Sequence, residues 1–269
     1  AWCFEKVSIS KFALALPSIF KGDFGKSYIY KVDALSLIAQ RVPATLELVF
    51  VSAVLALGIS IPLGVYAGAF PKRKSSTLVM GGSILGISLP SFFIGIMLIY
   101  IFSLKLHWFP SSGRGATAPF LGMDFSLFAP GGLKYIILPA LTLSVTNIAS
   151  LVRLTRAGVM ENMRQDYIKF ARAKGVSTRK VLFGHALKNA LIPVITVFGM
   201  EIGSLIAFTT VTETIYSWPG LGKLLIDSIN SVDRPVIVAY LILTTVLFVF
   251  INFVVDLLYT VIDPRIEFR

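Results

Sequence analysis

Residues 44–70 read ATLELVFVSAVLALGISIPLGVYAGAF, and the only formal charge in that run is Glu47. A helix needs about 20 predominantly apolar residues to cross the roughly 30 Å hydrocarbon core of a bilayer, so this stretch is long enough to span one by itself. Four further stretches pass the same test, at 78–104, 133–152, 190–211 and 236–262. Strands of a membrane barrel would instead be about ten residues long and alternate in polarity. The chain is therefore expected to be an all-α, polytopic membrane helical bundle with five spans. Composition agrees: 55% of the 269 residues are hydrophobic and 14% charged, against about 25% charged in an average soluble domain, and the mean hydropathy is +0.80.

The formal net charge is +11, but the Lys and Arg residues fall between apolar runs and form no continuous basic face. That distribution points away from nucleic acid and instead orients the chain. Lys72, Arg73 and Lys74 follow the first span, and the connection 153–189 holds Arg153, Arg156, Arg164, Lys169, Arg172, Lys174, Arg179, Lys180 and Lys188. By the positive-inside rule both are cytoplasmic. Residues 1–42 are then an extracytoplasmic segment, 43–262 the transmembrane domain, and 263–269 a cytoplasmic C-terminal tail. A chain that starts outside without a signal sequence predicts a sixth span ahead of Ala1. Cys3 is the only cysteine, so no intrachain disulfide can form.

Pairs of glycines at GxxxG spacing, Gly64 and Gly68, Gly82 and Gly86, Gly199 and Gly203, suit close helix packing in lipid. Pro62 and Pro90 each remove a backbone donor inside a span and are expected to bend it. No catalytic constellation is present. His107 and His185 fall on opposite sides of the membrane in this topology, so they cannot share a metal, and no metal-ligating residue is singled out. Gly25-Lys26-Ser27 imitates the end of a P-loop but has Phe20 where the pattern requires glycine; Gly220-Leu221-Gly222-Lys223 is followed by Leu224. Neither is a nucleotide-binding motif.

The most informative polar stretch is Asp166-Tyr167-Ile168-Lys169-Phe170-Ala171-Arg172-Ala173-Lys174-Gly175-Val176-Ser177. Residues 167–174 contain no helix breaker, Gly175 stands where a left-handed C-terminal cap is cheap, and Ser177 can N-cap a second helix over 178–187. The small Ala171 and Ala173 would let a partner approach closely, and Arg172 and Lys174 would offer charge to an acidic groove. From these residues alone, a partner-docking hairpin and a basic hairpin resting on anionic lipid both stand.

The stretch resembles the "EAA" coupling loop of ABC importer permeases, in particular the B-type subunit of the dipeptide/oligopeptide/nickel family. That subfamily's pattern, D-Y-I-x-x-A-R-A-K-G and then H-A-L-(K/R)-N-A-x-x-P, is met by Asp166 to Gly175, by His185 to Ala190 and by Pro193. Lys169 and Phe170 stand where the general importer pattern has Glu and Ala, and His185 and Lys188 replace its Ile and Pro; these departures are typical of the peptide branch. The resemblance runs over essentially the whole chain, through Gly22-Asp23-Phe24-Gly25, Pro43 to Leu48, Thr212 to Gly222, Asp233-Arg234-Pro235-Val236 and Asp263-Pro264-Arg265.

The resemblance implies a type I importer permease fold, with six spans in the family, in the bacterial inner membrane. It implies a channel-forming half of an ATP-driven peptide importer, with nickel or metal chelate as the alternative cargo and a secondary transporter a more distant reading. It implies no cofactor in this chain. A C-type sister permease, two ABC ATPase subunits carrying ATP and Mg, and an extracytoplasmic substrate-binding protein are the implied partners. Asp166, Tyr167, Ala171, Arg172, Ala173, Lys174, Gly175 and His185 would couple to the ATPase.

Within the spans, a carboxylate is costly and is a functional candidate by default. Glu201 could meet a peptide's amino group in the pore, or be satisfied by a neighbouring helix or protonated. Asn147, Asn252 and Asp256 are pore candidates or interhelical hydrogen-bonding groups. Glu47 and Glu213 read as structural, and Trp2, Trp108 and Trp218 as interfacial.

Overall fold

The computed structural model describes residues 23–120 and 122–262, the side chains of 255, 256 and 258–262 excepted. Expectations for Trp2, for residues 1–22 and 263–269, and for the Asp256 side chain lie outside the described residues. The helices are α1 (Ala34–Ala69), α2 (Lys74–Ser88), α3 (Ser91–Leu98), α4 (Gly132–Asn162), α5 (Asp166–Ala173), α6 (Thr178–Lys180), α7 (Leu187–Ile215), α8 (Leu221–Asn230) and α9 (Arg234–Ile262). Two π-helical turns, Ile99–Lys105 and Val181–Ala186, extend α3 and join α6 to α7. A two-stranded hairpin, β1 (Ala118–Phe120) and β2 (Met123–Phe125), pairs Ala118 with Phe125 and Phe120 with Met123.

Four helical stretches are long and apolar enough to cross a membrane: Ala34–Ala69, Gly132–Asn162, Thr178–Ile215 and Arg234–Val254. The fifth expected span is not one straight helix. Lys74–Ser88 and Ser91–Lys105 meet at 111°, and the five-span count holds when this bent pair is counted as one. Leu89 and Pro90 are both extended at the break, with ψ of 134° and 139°. Proline supplies no N–H and disfavours helical backbone at the residue before it, so the chain turns there. Pro62, also expected to bend its helix, sits inside the continuous α1.

Three buried clusters read out the bundle from end to end. Leu48 meets Ile136, Ala140 and Leu205; Ala56 meets Leu151, Val194 and Phe198; Val65 meets Val159, Leu182 and Ala190. Numbers rise together along α1 and α4 and fall along α7, so α1 and α4 run parallel and α7 runs antiparallel to both. Lipid tails are as apolar as leucine, so helices in a bilayer associate through close packing rather than hydrophobic burial. The α1–α4 contact is of that kind. A Cβ on Gly64 would stand 2.5 Å from Thr155 Cβ, and one on Gly68 2.8 Å from Val159 Cβ. Of the other glycine pairs, Gly86 lies against Val145 and Ala149, Gly203 against Phe248, and Gly82 against open space.

Helix α1 begins earlier than expected. Its first turns bury Leu37 and Ile38 against Leu221, Leu224 and Val236, and this contact carries the helix through Pro43. The same end is tied by polar contacts. Ser27 Oγ donates to Asp233 Oδ2, and the Tyr28 amide to Asp233 Oδ1 at 3.1 Å. Thr45 donates to Glu213 Oε1 at 2.7 Å and accepts from the Leu221 amide at 2.8 Å, while the Lys223 amide donates to Glu213 Oε2 at 3.0 Å. The N-terminus of α8 is thus capped by side chains from α1 and α7, which satisfies amides with no partner inside their own helix. Glu213 is fully buried and structural, as expected. Trp218 departs from its interfacial reading: it is fully buried and donates through Nε1 to the Ala44 carbonyl at 2.9 Å. Trp108, 60% exposed, keeps an interfacial position open.

Candidate functional site

Two constructions hold most of the residues singled out in the sequence, a cavity with polar groups in its wall and a helical hairpin at one end of the bundle. The hairpin starts where α4 ends. Its anchor is Ile168, fully buried against Val181 and Ala186, with Met163, Ala171 and Val176 packed around them. Gly175 has φ of +79°. Its amide donates to the Arg172 carbonyl at 2.9 Å, and the Val176 amide to the Ala171 carbonyl at 3.2 Å. This is a Schellman closure of α5, which calls for a left-handed residue and favours glycine. Ser177 occupies the expected N-cap position of α6 but makes no side-chain cap bond; its carbonyl accepts the Val181 amide at 3.0 Å.

Several expected coupling residues take distinct places. Asp166, Arg172, Ala173, Lys174, Gly175 and His185 are exposed, whereas Ala171 leans on the hairpin's own core. Asp166 pairs with Lys169 at 2.7 Å, and that hydrogen bond and charge hold its carboxyl below the usual carboxylate range. Tyr167 is a clasp. Its hydroxyl donates to Asn162 Oδ1 at 2.8 Å and accepts from Asn189 Nδ2 at 3.1 Å, joining α4, α5 and α7. Asn162 did not stand out in the sequence, and Asn189 did so only as part of a pattern, because its bond to Tyr167 links residues 22 positions apart. Phe170 is 63% exposed, with Lys174 Nζ 4.5 Å from its ring centroid. The connection 153–189 is therefore almost wholly helical, and its second arm runs without a break from Thr178 to Ile215.

The cavity, of about 400 Å³, lies between the Leu89–Pro90 break, α4 and α7. It brings together two of the expected pore residues, Asn147 and Glu201, with Ser91, Thr146 and Ser204 among its polar lining. Ser150 Oγ donates to Glu201 Oε1 at 3.2 Å, and Oε2 is buried without a hydrogen-bond partner. Asn252 is not part of this lining; its Nδ2 donates to the Phe248 carbonyl one turn back on α9 at 2.9 Å. Pro90, in Ser88-Leu89-Pro90-Ser91, was the one local signal, and it announced a bend rather than a cavity. Among the described residues no group of acidic, His and Cys side chains is arranged to hold a metal ion.

Residues 60–268 match the family model described as "Binding-protein-dependent transport system inner membrane component". The chain belongs to that family. The matched stretch of this permease begins within α1 and takes in both the cavity and the hairpin. It is 43% identical over 254 residues to the oligopeptide transport system permease protein AppB of Bacillus subtilis, covering 94% of this chain and 78% of that protein. It is 40% identical over 266 residues to the di/tripeptide transport system permease protein DppB of Pseudomonas aeruginosa, covering 93% and 78%. Such relatives put the permease on the B-type branch. Among solved structures it resembles a chain of the MetNI methionine ABC transporter in an inward-facing conformation, with a TM-score of 0.66 over 85% of this permease and 97% of that chain. At 18% identity that likeness concerns the fold, which is the type I importer permease fold.

Proposed function

We propose that this permease forms one half of the channel of an ATP-driven peptide importer. In this reading a C-type sister permease completes the pore, and each of two ATPase subunits, carrying ATP and Mg, receives a coupling hairpin on the cytoplasmic side. An extracytoplasmic binding protein delivers the peptide. The relatives named for oligopeptide and di/tripeptide transport support the cargo. One observation carries the coupling: the hairpin's second arm and the cavity wall are the same unbroken helix, Thr178–Ile215. At 1.5 Å per residue, Thr178 stands about 35 Å from Glu201 along that helix. A displacement of the hairpin is therefore a displacement of the cavity carboxylate. Contacts that differ between ATP-bound and ATP-free partners would bias inward- and outward-facing states through this rod.

The test is reconstitution of the full complex in proteoliposomes with a panel of peptides, nickel and metal chelates. ATP-dependent uptake of peptides, with no ATP hydrolysis by the isolated permease, is the expected result. Uptake of nickel or chelate in place of peptide would transfer the assignment to metal import. ATP hydrolysis by the permease alone would overturn the division of labour.

A further inference from the structure

Glu201 is a carboxylate in a membrane-spanning helix with less than a full set of partners. Among the described residues it forms no ion pair. One oxygen holds a single serine hydroxyl at 3.2 Å, and the other is buried without any partner. Compare Glu47, buried where Glu201 is only half-buried, whose oxygens receive Arg114 Nη2 at 2.6 Å and the amides of Ser126 and Leu127 at 3.1 and 2.6 Å. This fold satisfies a structural carboxylate fully. It leaves Glu201 unfinished, and an unpaired acid inside a membrane protein is expensive and marks a functional position.

The chemistry of the missing partner follows from the cavity around it. No other lining residue carries a charge; the polar ones, Ser91, Thr146, Asn147 and Ser204, are neutral hydrogen-bonding groups, and Leu143, Leu205 and Phe208 are apolar. A ligand that completes this site brings a cation for Glu201, donors or acceptors for the amide and hydroxyls, and some apolar surface. An α-amino terminus followed by a peptide bond and a side chain has those three features. We infer that Glu201 is the subsite that receives the ammonium terminus of the transported peptide, with Asn147 beside it in the same cavity. The inference rests on the peptide-import reading above. It adds that the channel itself, downstream of the binding protein, distinguishes a free amino terminus from a blocked one.

The experiment uses the whole complex in proteoliposomes. Isolated binding protein already loaded with one peptide, either free or N-acetylated, supplies the substrate, so the loading step is removed from the comparison. Wild type is expected to turn over the free peptide about tenfold faster or more, the range of one charge-assisted hydrogen bond. Glu201→Gln should abolish the preference, so that free and acetylated peptides turn over at the same rate. Glu201→Asp should retain part of the preference, which separates loss of charge from loss of assembly. Equal rates for both peptides in wild type, or an undiminished preference in Glu201→Gln, would overturn the inference while leaving peptide import intact. Absence of ATP-dependent uptake of either peptide by wild type would overturn the importer reading itself.

Discussion

Glu47 and Arg114 form an ion pair at 2.6 Å, with side chains 1% and 11% exposed. They come from α1 and from the long connection between the π-helical turn at Ile99–Lys105 and α4. Arg114 Nη2 also donates to the Asp124 carbonyl at 2.7 Å, so one guanidinium pins the β-hairpin to the bundle. Removing one partner of a buried pair strands the other charge and costs about 3–5 kcal/mol. Arg114→Ala should lower the thermal unfolding midpoint of the detergent-solubilised permease. Adding Glu47→Gln to it should recover part of the loss. A double variant less stable than Arg114→Ala would show that the stranded charge is not the cause.

The contact between α1 and α4 leaves no room for a side chain at Gly64, where a Cβ would also meet the Val152 carbonyl at 2.9 Å. Backbone cannot rotate aside as a flexible side chain can. Gly64→Leu should therefore abolish stable folding, whereas Gly82→Leu, facing open space, should fold and insert normally. Monodisperse elution in detergent reads the difference.

Gly175 has φ of +79° and nothing within 4 Å of a built Cβ, so a substitution there is penalised by backbone strain alone. A β-branched residue should cost about 1–2 kcal/mol locally, and asparagine, which tolerates the left-handed region, less. Gly175→Val should leave insertion and sister pairing intact and uncouple ATP hydrolysis from transport; Gly175→Asn should keep most of the coupling. Equal transport by Gly175→Val and wild type would separate the hairpin's shape from coupling.

Ala171 and Ala173, two residues apart, face different surroundings. Ala173 is exposed, while Ala171 packs on Ile168, Val181 and Ala186. A cysteine at Ala173 should cross-link to an ATPase subunit, and more efficiently than one at the exposed Thr117. Ala173→Glu should block that docking with the hairpin intact; Ala171→Phe should instead disturb the hairpin's own core and destabilise the permease. Failure of the Ala173 cross-link, with normal transport by Ala173→Glu, would remove the hairpin from the ATPase interface.

Orientation is checked by single cysteines placed after Cys3 is replaced. Ser112, Ser177 and Ser217 are all exposed, so accessibility depends on the side of the membrane alone. An impermeant thiol reagent should label positions 112 and 217 from outside intact cells and spare 177. Labelling of position 177 under those conditions would invert the topology.

Properties written in runs of neighbouring residues were legible in the sequence of this permease. Span existence depends on about 20 consecutive apolar residues, and the closure of α5 at Gly175 depends on one residue that tolerates positive φ. The hairpin pattern from Asp166 to Pro193 likewise needs no distant contact to be read. What escaped is what long-range packing decides. Pro90 announced a bend, but the 111° angle that opens the cavity depends on α4 and α7 standing behind it. Tyr167 read as a docking residue, and that its hydroxyl also joins Asn162 and Asn189 could not be seen before three helices were in place. Trp218 read as interfacial because indole suits that zone; only the fold showed a buried ring held by the Ala44 carbonyl, 174 positions away. Glu47 and Glu201 are the same residue type in apolar spans; their places along the span read one as structural and the other as a candidate, but the partners of neither were legible. One meets an arginine and two amides and is structural, the other meets a single serine hydroxyl. A buried charge takes its role from its partners, and in this chain those partners arrive only when the helices pack.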